Sequence, residues 1–248
     1  MNLQEFFKRY PKAAIAFSGG VDSAYLLYAA MKYGKEIKAY YVKSEFQPQF
    51  EFEDAMGLAD MLDADMRILS LEVLSLPLVR ENPMDRCYFC KKGIFGAIAQ
   101  AAMEDGYHIL LDGTNASDEE SDRPGMRALK ELSVLSPLRE CGLTKTQIRS
   151  LSKEAGLFTW DKPAYACLAT RIPFGEEITK SKLEGIEKAE DFLFSCGFTD
   201  FRVRSNEGHA RLQIREDQLF RVLEHRKEIL KKLKEDYKTV SLDLEVRE

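Results

Sequence analysis

Two rhythms of apolar and polar positions run through most of the chain. Short apolar runs at 12–17, 36–43, 65–71, 107–112 and 133–136 predict strands, and residues 21–34, 49–63, 87–105 and 144–155 between them space their apolar positions as helices do. Alternating strands and helices predict an α/β fold, with a parallel sheet covered on both faces by helices. The rhythm changes after "CLATRIPFGEEIT". A helix over 180–196, a hairpin in "DFRVRSNEGHARLQI" turning at 206–208, a helix over 216–235 and a last strand "TVSLDLEV" predict a second, smaller α+β domain. The boundary falls after residue 170, giving domains 1–170 and 171–248. No internal repeat or low-complexity segment interrupts this plan, and "KEILKKLKED" reads as a solvated helix face.

Composition narrows the class. The 248 residues are 45% hydrophobic and 31% charged, as in soluble globular proteins. No apolar run approaches the roughly 20 residues of a membrane span. The opening "MNLQEFFKRYPKAA" mixes charge into its apolar residues, so a cytoplasmic protein with no membrane partner is expected. A net charge of −5 argues against a large nucleic-acid footprint. Five cysteines, an odd number, do not make a disulfide framework and point to chemistry or metal instead.

The stretch "FSGGVDS" at 17–23 falls between the first strand and the first long helix. Gly19 and Gly20 let the backbone approach a ligand, and the helix behind them offers unpaired N–H groups to an anion. The spacing is neither that of a dinucleotide fingerprint nor that of a Walker loop. An ordinary glycine turn is the plain alternative. "SGGVDS" resembles the signature of the ATP pyrophosphatase or PP-loop enzymes, which implies a Rossmann-like PP-loop domain that binds ATP. By that resemblance Ser18, Gly19, Gly20 and Ser23 hold the diphosphate, and Asp22 caps the helix or helps to hold Mg2+. Such enzymes adenylate an acceptor oxygen, and a nitrogen or sulfur nucleophile then displaces AMP. The nucleophile expected here is ammonia, another amine, or sulfur delivered by a cysteine. A second polar segment, "LLDGTNASDEE", follows a strand at the same edge of the sheet. Asp112, Gly113, Thr114 and Asn115 are therefore candidates for the adenylate or magnesium site, and Asp118 and Glu119 for metal or substrate, against the alternative of a solvated acidic loop.

"DRCYFCKK" sets Cys87 and Cys90 at a helix start beside Arg86, Lys91 and Lys92, where thiolates are favoured. The pair suits a metal; a thioredoxin-like redox pair and two cysteines without a role are the alternatives. Cys167, in "KPAYACLATRIPFG", lies in a loop between the predicted domains, while Cys141 and Cys196 look structural.

Together, "AFSGGVDS", "NPMDRCYFCK", "DGTNASDEESDRPGMRAL", "SPL", "LTKTQIR" and "ACLATRIPFGEEIT" resemble the LarE family over nearly the whole chain. These are ATP-dependent sulfurtransferases that serve the nickel-pincer nucleotide cofactor. The resemblance implies adenylation of a carboxylate of pyridinium-3,5-biscarboxylic acid mononucleotide and its conversion to a thiocarboxylate. It implies one of two sulfur routes. In one, Cys167 is catalytic and gives up its own sulfur, leaving dehydroalanine. In the other, Cys87, Cys90 and Cys167 hold a [4Fe-4S] cluster carrying an extra sulfide from sulfide or an upstream donor. The presence of all three cysteines favours the cluster, and a zinc site is the alternative. Arg171, with Arg202 and Arg204 on one face of a strand, becomes a candidate for the substrate phosphate. A trimer or hexamer is the assembly the family implies. Rival functions are a PP-loop tRNA thiolase, an ammonia-dependent amidotransferase of the NAD synthetase type, and a non-enzymatic adenine-nucleotide binding module.

Overall fold

The computed structural model describes residues 1–118 and 124–247. Two compact units divide the chain, Met1–Val73 with Asp85–Ala164, and Leu74–Met84 with Tyr165–Glu248. The units thus part between Ala164 and Tyr165, whereas the sequence pattern suggests a boundary after residue 170, and 74–84 joins the second unit.

In the first unit, helix α1 (Leu3–Arg9) leads to strand β1 (Lys12–Ala16), α2 (Val21–Tyr33), β2 (Glu36–Lys43), α3 (Gln49–Leu62) and β3 (Met66–Ser70). After the short α4 (Pro77–Arg80), which belongs to the second unit, the first resumes with α5 (Arg86–Glu104), β4 (Leu110–Leu111), α6 (Pro124–Glu131), α7 (Pro137–Glu140) and α8 (Lys145–Glu154). Capping boxes start α1 at Asn2 and Glu5 and α8 at Thr144 and Gln147, each satisfying two N–H groups that a helix start leaves unpaired.

The four strands are parallel in the order β3-β2-β1-β4. Side chains alternate across the strands and so build two cores. Ile15, Phe17, Ala39 and Tyr41 join one with Phe6, Leu26, Leu58 and Ile148, and Ala14, Tyr40 and Val42 join the other with Ile98, Ala101 and Leu110. Helices therefore cover both faces, which is the doubly wound α/β fold that the alternation predicts. Because the strand order reverses between β1 and β4, a crevice opens beyond their carboxyl ends.

The fourth and fifth predicted strands are shorter than the pattern suggests. The run 107–112 pairs only as Leu110–Leu111, and 133–136 contributes one bridge, Leu111 to Leu135. Ser133 sits at φ 54 and Pro137 begins α7, so little extended chain is left between them. Helices α1, α4, α6 and α7 are absent from the predicted pattern.

The second unit packs α9 (Lys180–Ser195) on a three-stranded sheet, β5 (Arg202–Asn206), β6 (His209–Gln213) and β7 (Thr239–Leu242). The β5–β6 hairpin turns through Glu207 and Gly208, both at positive φ. Leu193, Phe198, Phe201, Val203, Leu212 and Ile229 form its own core. The predicted helix over 216–235 is broken: a 3-10 turn at Glu216–Gln218 leads to α10 (Leu219–Glu224), and α11 (Arg226–Leu233) restarts after His225. The 74–84 segment is fastened within this unit by Asn82, whose side-chain N–H donates to the carbonyls of Pro173 at 2.7 Å and Glu176 at 3.2 Å. Among the described residues no helix is long and apolar enough to cross a membrane.

Candidate functional site

The turn after β1 is shaped from within. Gly19 has φ +75, and a Cβ there would come 2.9 Å from the Ala55 Cβ, so both backbone and space exclude a side chain. Gly20 has ordinary extended backbone and is the N-cap of α2, without a side-chain cap. Ser23, buried, accepts from the Ser18 N–H at 3.2 Å and donates to the Gly20 carbonyl at 3.1 Å. With its proton so used, Ser23 takes the proton of the Ser18 hydroxyl across the 3.0 Å contact between them. Ser23 thus holds the turn in shape. Asp22 does not cap α2; its carboxylate accepts from Lys145 Nζ at 2.5 Å and Asn115 Nδ2 at 3.3 Å.

The loop after β4 meets this turn back to back. A Cβ on Gly113 would lie 2.9 Å from the Ser23 backbone nitrogen. Asp112, Thr114 and Asn115 are buried. Asp112 accepts from the Ser136 hydroxyl at 2.6 Å and from the Thr114 hydroxyl. Asp118 accepts from the Asn115 N–H at 3.0 Å, and Arg139 donates to the carbonyls of Asn115 and Asp118. Glu119 lies outside the described residues.

Between the two loops is a cleft of about 220 Å³ lined by Ser18, Gly20, Asp22, Asp112, Thr114 and Asp118. A second cleft of about 190 Å³ adjoins it, sharing Ala16, Ser18 and Phe95 and otherwise lined by Phe17, Tyr41, Val42, Ile94 and Ile98 with one polar side chain, Gln47. One end thus offers a helix N-terminus and carboxylates, the other a slot for a flat apolar group. Carboxylates beside an anion site repel a phosphate unless a hard cation lies between, and the carboxylates lining this cleft, Asp22, Asp112 and Asp118, are of the oxygen-donor type that could hold one. Lys145, Ser136 and Arg139 escape the sequence-based selection of site residues, although "LTKTQIR" and "SPL" contain the first two.

Cys87 and Cys90 stand one turn apart at the start of α5, half-buried and outside any disulfide. Spacing of three puts both on one helix face. An Arg86 N–H donates to the Cys87 sulfur at 3.8 Å, and Arg86 is itself buried. Two thiols at a positive helix end suit a soft metal. Cys141 is different: burial raises its thiol pKa, which keeps it protonated.

In the second unit, Cys167 opens a 3-10 turn at Leu168–Arg171. Arg171 is fully buried and forked onto Glu190 through Nε and Nη2, each at 3.0 Å. Its Nη1 donates to the carbonyls of Ala166 at 2.6 Å and Cys167 at 3.3 Å, and its guanidinium lies 4.4 Å from the centre of the Tyr165 ring. The Tyr165 hydroxyl and the Val203 N–H also donate to Glu190. Arg171, a candidate for the substrate phosphate, thus directs donors to Glu190, to the Thr170 hydroxyl and to the backbone of the Cys167 loop, which they fix. Tyr165 and Glu190 carry no motif that marks them in the sequence.

Arg202 and Arg204 lie on the face of β5 opposite the core residue Val203. Burial, then Arg171 and Arg247, pull Arg202 down to about 10, and burial, then Arg171, Arg247 and Arg211, also lower Arg204. Arg202 donates to the Phe201 carbonyl at 2.5 Å; Arg204 donates to Gln213 at 2.7 Å and to the Thr170 carbonyl at 2.5 Å. Crowded cations held against burial make a place where an oxyanion is stabilising.

Residues 12–80 match the family model for queuosine biosynthesis protein QueC. The chain is 32% identical over 240 residues to the pyridinium-3,5-bisthiocarboxylic acid mononucleotide synthase of Lactiplantibacillus plantarum, covering 96% of this chain and 87% of that protein. An uncharacterized protein of Synechocystis is 37% identical over 88% of this chain and 82% of its own length. The tRNA-specific 2-thiouridylase MnmA of Thermotoga petrophila is 26% identical, over 74% of this chain and 63% of its own. With the glycine turn at the head of a parallel sheet and a synthase related along almost its full length, the chain belongs to the LarE family and is an ATP-dependent sulfurtransferase of the PP-loop class.

Proposed function

We propose that the chain adenylates a carboxylate of pyridinium-3,5-biscarboxylic acid mononucleotide and converts it to a thiocarboxylate, in the synthesis of a nickel-pincer nucleotide. The observation that supports this most is the cleft in which the Ser18–Ser23 turn faces Asp112 and Asp118, beside an apolar slot. On this reading the adenine enters the slot and the diphosphate lies over Ser18, Gly19, Gly20 and the start of α2. Asp22, Asp112 and Asp118 hold Mg2+, and Lys145 orients the Asp22 carboxylate. The substrate carboxylate attacks the α-phosphorus, the bond to diphosphate breaks, and the acyl adenylate forms. Sulfur then attacks the carbonyl carbon and AMP departs with the carbon–oxygen bond electrons. Arg202 and Arg204 take the substrate phosphate.

Cys87, Cys90 and Cys167 are proposed as the ligands of a [4Fe-4S] cluster, which when bound supplies an iron without a protein ligand, where sulfide exchanges. Asp22→Ala, Ser18→Ala or Lys145→Met should cut AMP and diphosphate release at least tenfold without unfolding the chain; normal release from Asp22→Ala and Ser18→Ala would remove the assignment of the turn. Protein purified without oxygen should be brown with about four irons per chain, and should lose them when any of the three cysteines becomes serine, but not with Cys141→Ser. A single turnover that leaves dehydroalanine at position 167 would establish sacrifice of Cys167 instead.

The thiouridylase relatives favour a second reading, tRNA thiolation. The net charge of −5 counts against it. Salt-dependent tRNA binding with tRNA-stimulated AMP release would establish it.

A further inference from the structure

A second group of metal-binding side chains stands in the second unit, at the break in the predicted 216–235 helix. Cys196 ends α9 as its C-cap, and His225 is at once the C-cap of α10 and the N-cap of α11. Glu228 follows in the first turn of α11. One ligand atom from each residue lies within 4.8 Å of the others. His225 Nδ1 and Glu228 Oε2 are 2.8 Å apart, a contact that a helix start explains without a metal. The Cys196 sulfur arrives from the end of a different helix, half-buried at the edge of the second unit's core. Its position is fixed, since Arg221 donates to the carbonyl of the next residue, Gly197, and the His225 ring stands edge-on to Phe198 with centroids 6.3 Å apart.

We propose that Cys196, His225 and Glu228 bind one zinc-class divalent ion. Thiolate, imidazole and carboxylate are the ligand types zinc takes, and sulfur with imidazole selects it over magnesium or calcium. Zinc bond lengths of about 2.0–2.3 Å place tetrahedral ligands roughly 3.3–3.8 Å apart. All three ligand atoms lie within 4.8 Å of one another, so gathering them on an ion asks for shifts of up to about one ångström, with the 67%-exposed Glu228 side chain drawing back from its 2.8 Å contact with His225. The Cys196 thiol releases its proton to solvent on binding, and thiolate plus carboxylate then balance the charge of the ion beside a neutral imidazole. Water fills the fourth position. The ion ties the end of α9 to the joint between α10 and α11, over the core of the second unit. The inference does not depend on the proposed reaction, which uses none of the three residues.

Cobalt binding tests it. The full chain carrying Cys87→Ser, Cys90→Ser and Cys167→Ser removes the thiols assigned to the cluster. Titrated with Co2+ in excess Mg2+, which fills the carboxylates of the ATP cleft, it should bind one cobalt per chain and show thiolate-to-cobalt charge transfer with strong tetrahedral ligand-field bands. Zn2+ should displace the cobalt, and a large excess of Mg2+ should not. Adding Cys196→Ser should abolish the charge-transfer band, and His225→Gln or Glu228→Gln should weaken binding at least tenfold. Melting in the absence of metal checks that each variant folds, and the exposed Glu228→Gln keeps the test valid if the other two do not. A charge-transfer band that survives Cys196→Ser, no band at saturating cobalt, or unchanged affinity in Glu228→Gln would each overturn the site.

Discussion

A single methyl group measures how closely the two loops of the ATP cleft must meet. The missing Cβ of Gly113 would lie 2.9 Å from the Ser23 nitrogen and 3.2 Å from its Cα, against backbone that cannot rotate away as a side chain can. Gly113→Ala therefore pushes the Ser18–Ser23 turn from the Asp112–Asp118 loop, at an overpacking cost of about 1–3 kcal/mol. The expected result is a lower melting temperature and at least a tenfold fall in AMP formation. Gly57, inside α3 with nothing within 4 Å of its Cβ position, is the control. Gly57→Ala should be neutral, or stabilising by up to about 1 kcal/mol through helix propensity. Full activity in Gly113→Ala would show that the close approach is dispensable.

At the level of elements, the loop bearing Cys167 is held by Arg171, Glu190 and Tyr165. Glu190→Gln leaves the buried Arg171 charge without its partner, a change that costs about 3–5 kcal/mol, whereas Tyr165→Phe removes one donor to Glu190 and costs about 1 kcal/mol. Alkylation followed by mass spectrometry separates loss of the clamp from general instability: Cys167 should react several-fold faster in Tyr165→Phe while Cys196 keeps its rate. Equal rates at both cysteines would mean that the clamp does not govern the loop. The contrast between these pairings and the strands shows what the sequence makes legible. Strands β1, β2 and β3 and the turn after β1 follow from apolar periodicity and glycine placement, both local signals. Lys145 with Asp22, 123 residues apart, and Tyr165 with Glu190, 25 apart, leave no such signal, since only folding brings them together. The break at His225 was hidden for another reason: neither glycine nor proline stands there, and the helical spacing runs on across it.

Across the whole molecule, a net charge of −5 hides a local excess of cations in the second unit. Arg202 is pulled to about 10 in the folded chain, below its unfolded value. Between those two values the unfolded chain binds more protons, so stability rises as pH climbs through that interval, and at neutral pH the buried charge opposes folding. An oxyanion paired with Arg202 and Arg204 relieves that opposition. Because each unit has its own core, the two ligands should leave separate marks. The phosphate-bearing mononucleotide should raise the melting temperature and slow amide hydrogen exchange at 165–171 and 202–206. ATP with Mg2+ should instead protect 17–23 and 112–118. Replacing both arginines by glutamine should abolish the first pattern, leave the second unchanged, and raise the melting temperature of the ligand-free chain or hold it constant. Equal loss of protection by ATP would place the two arginines at the ATP site and remove them from the substrate phosphate.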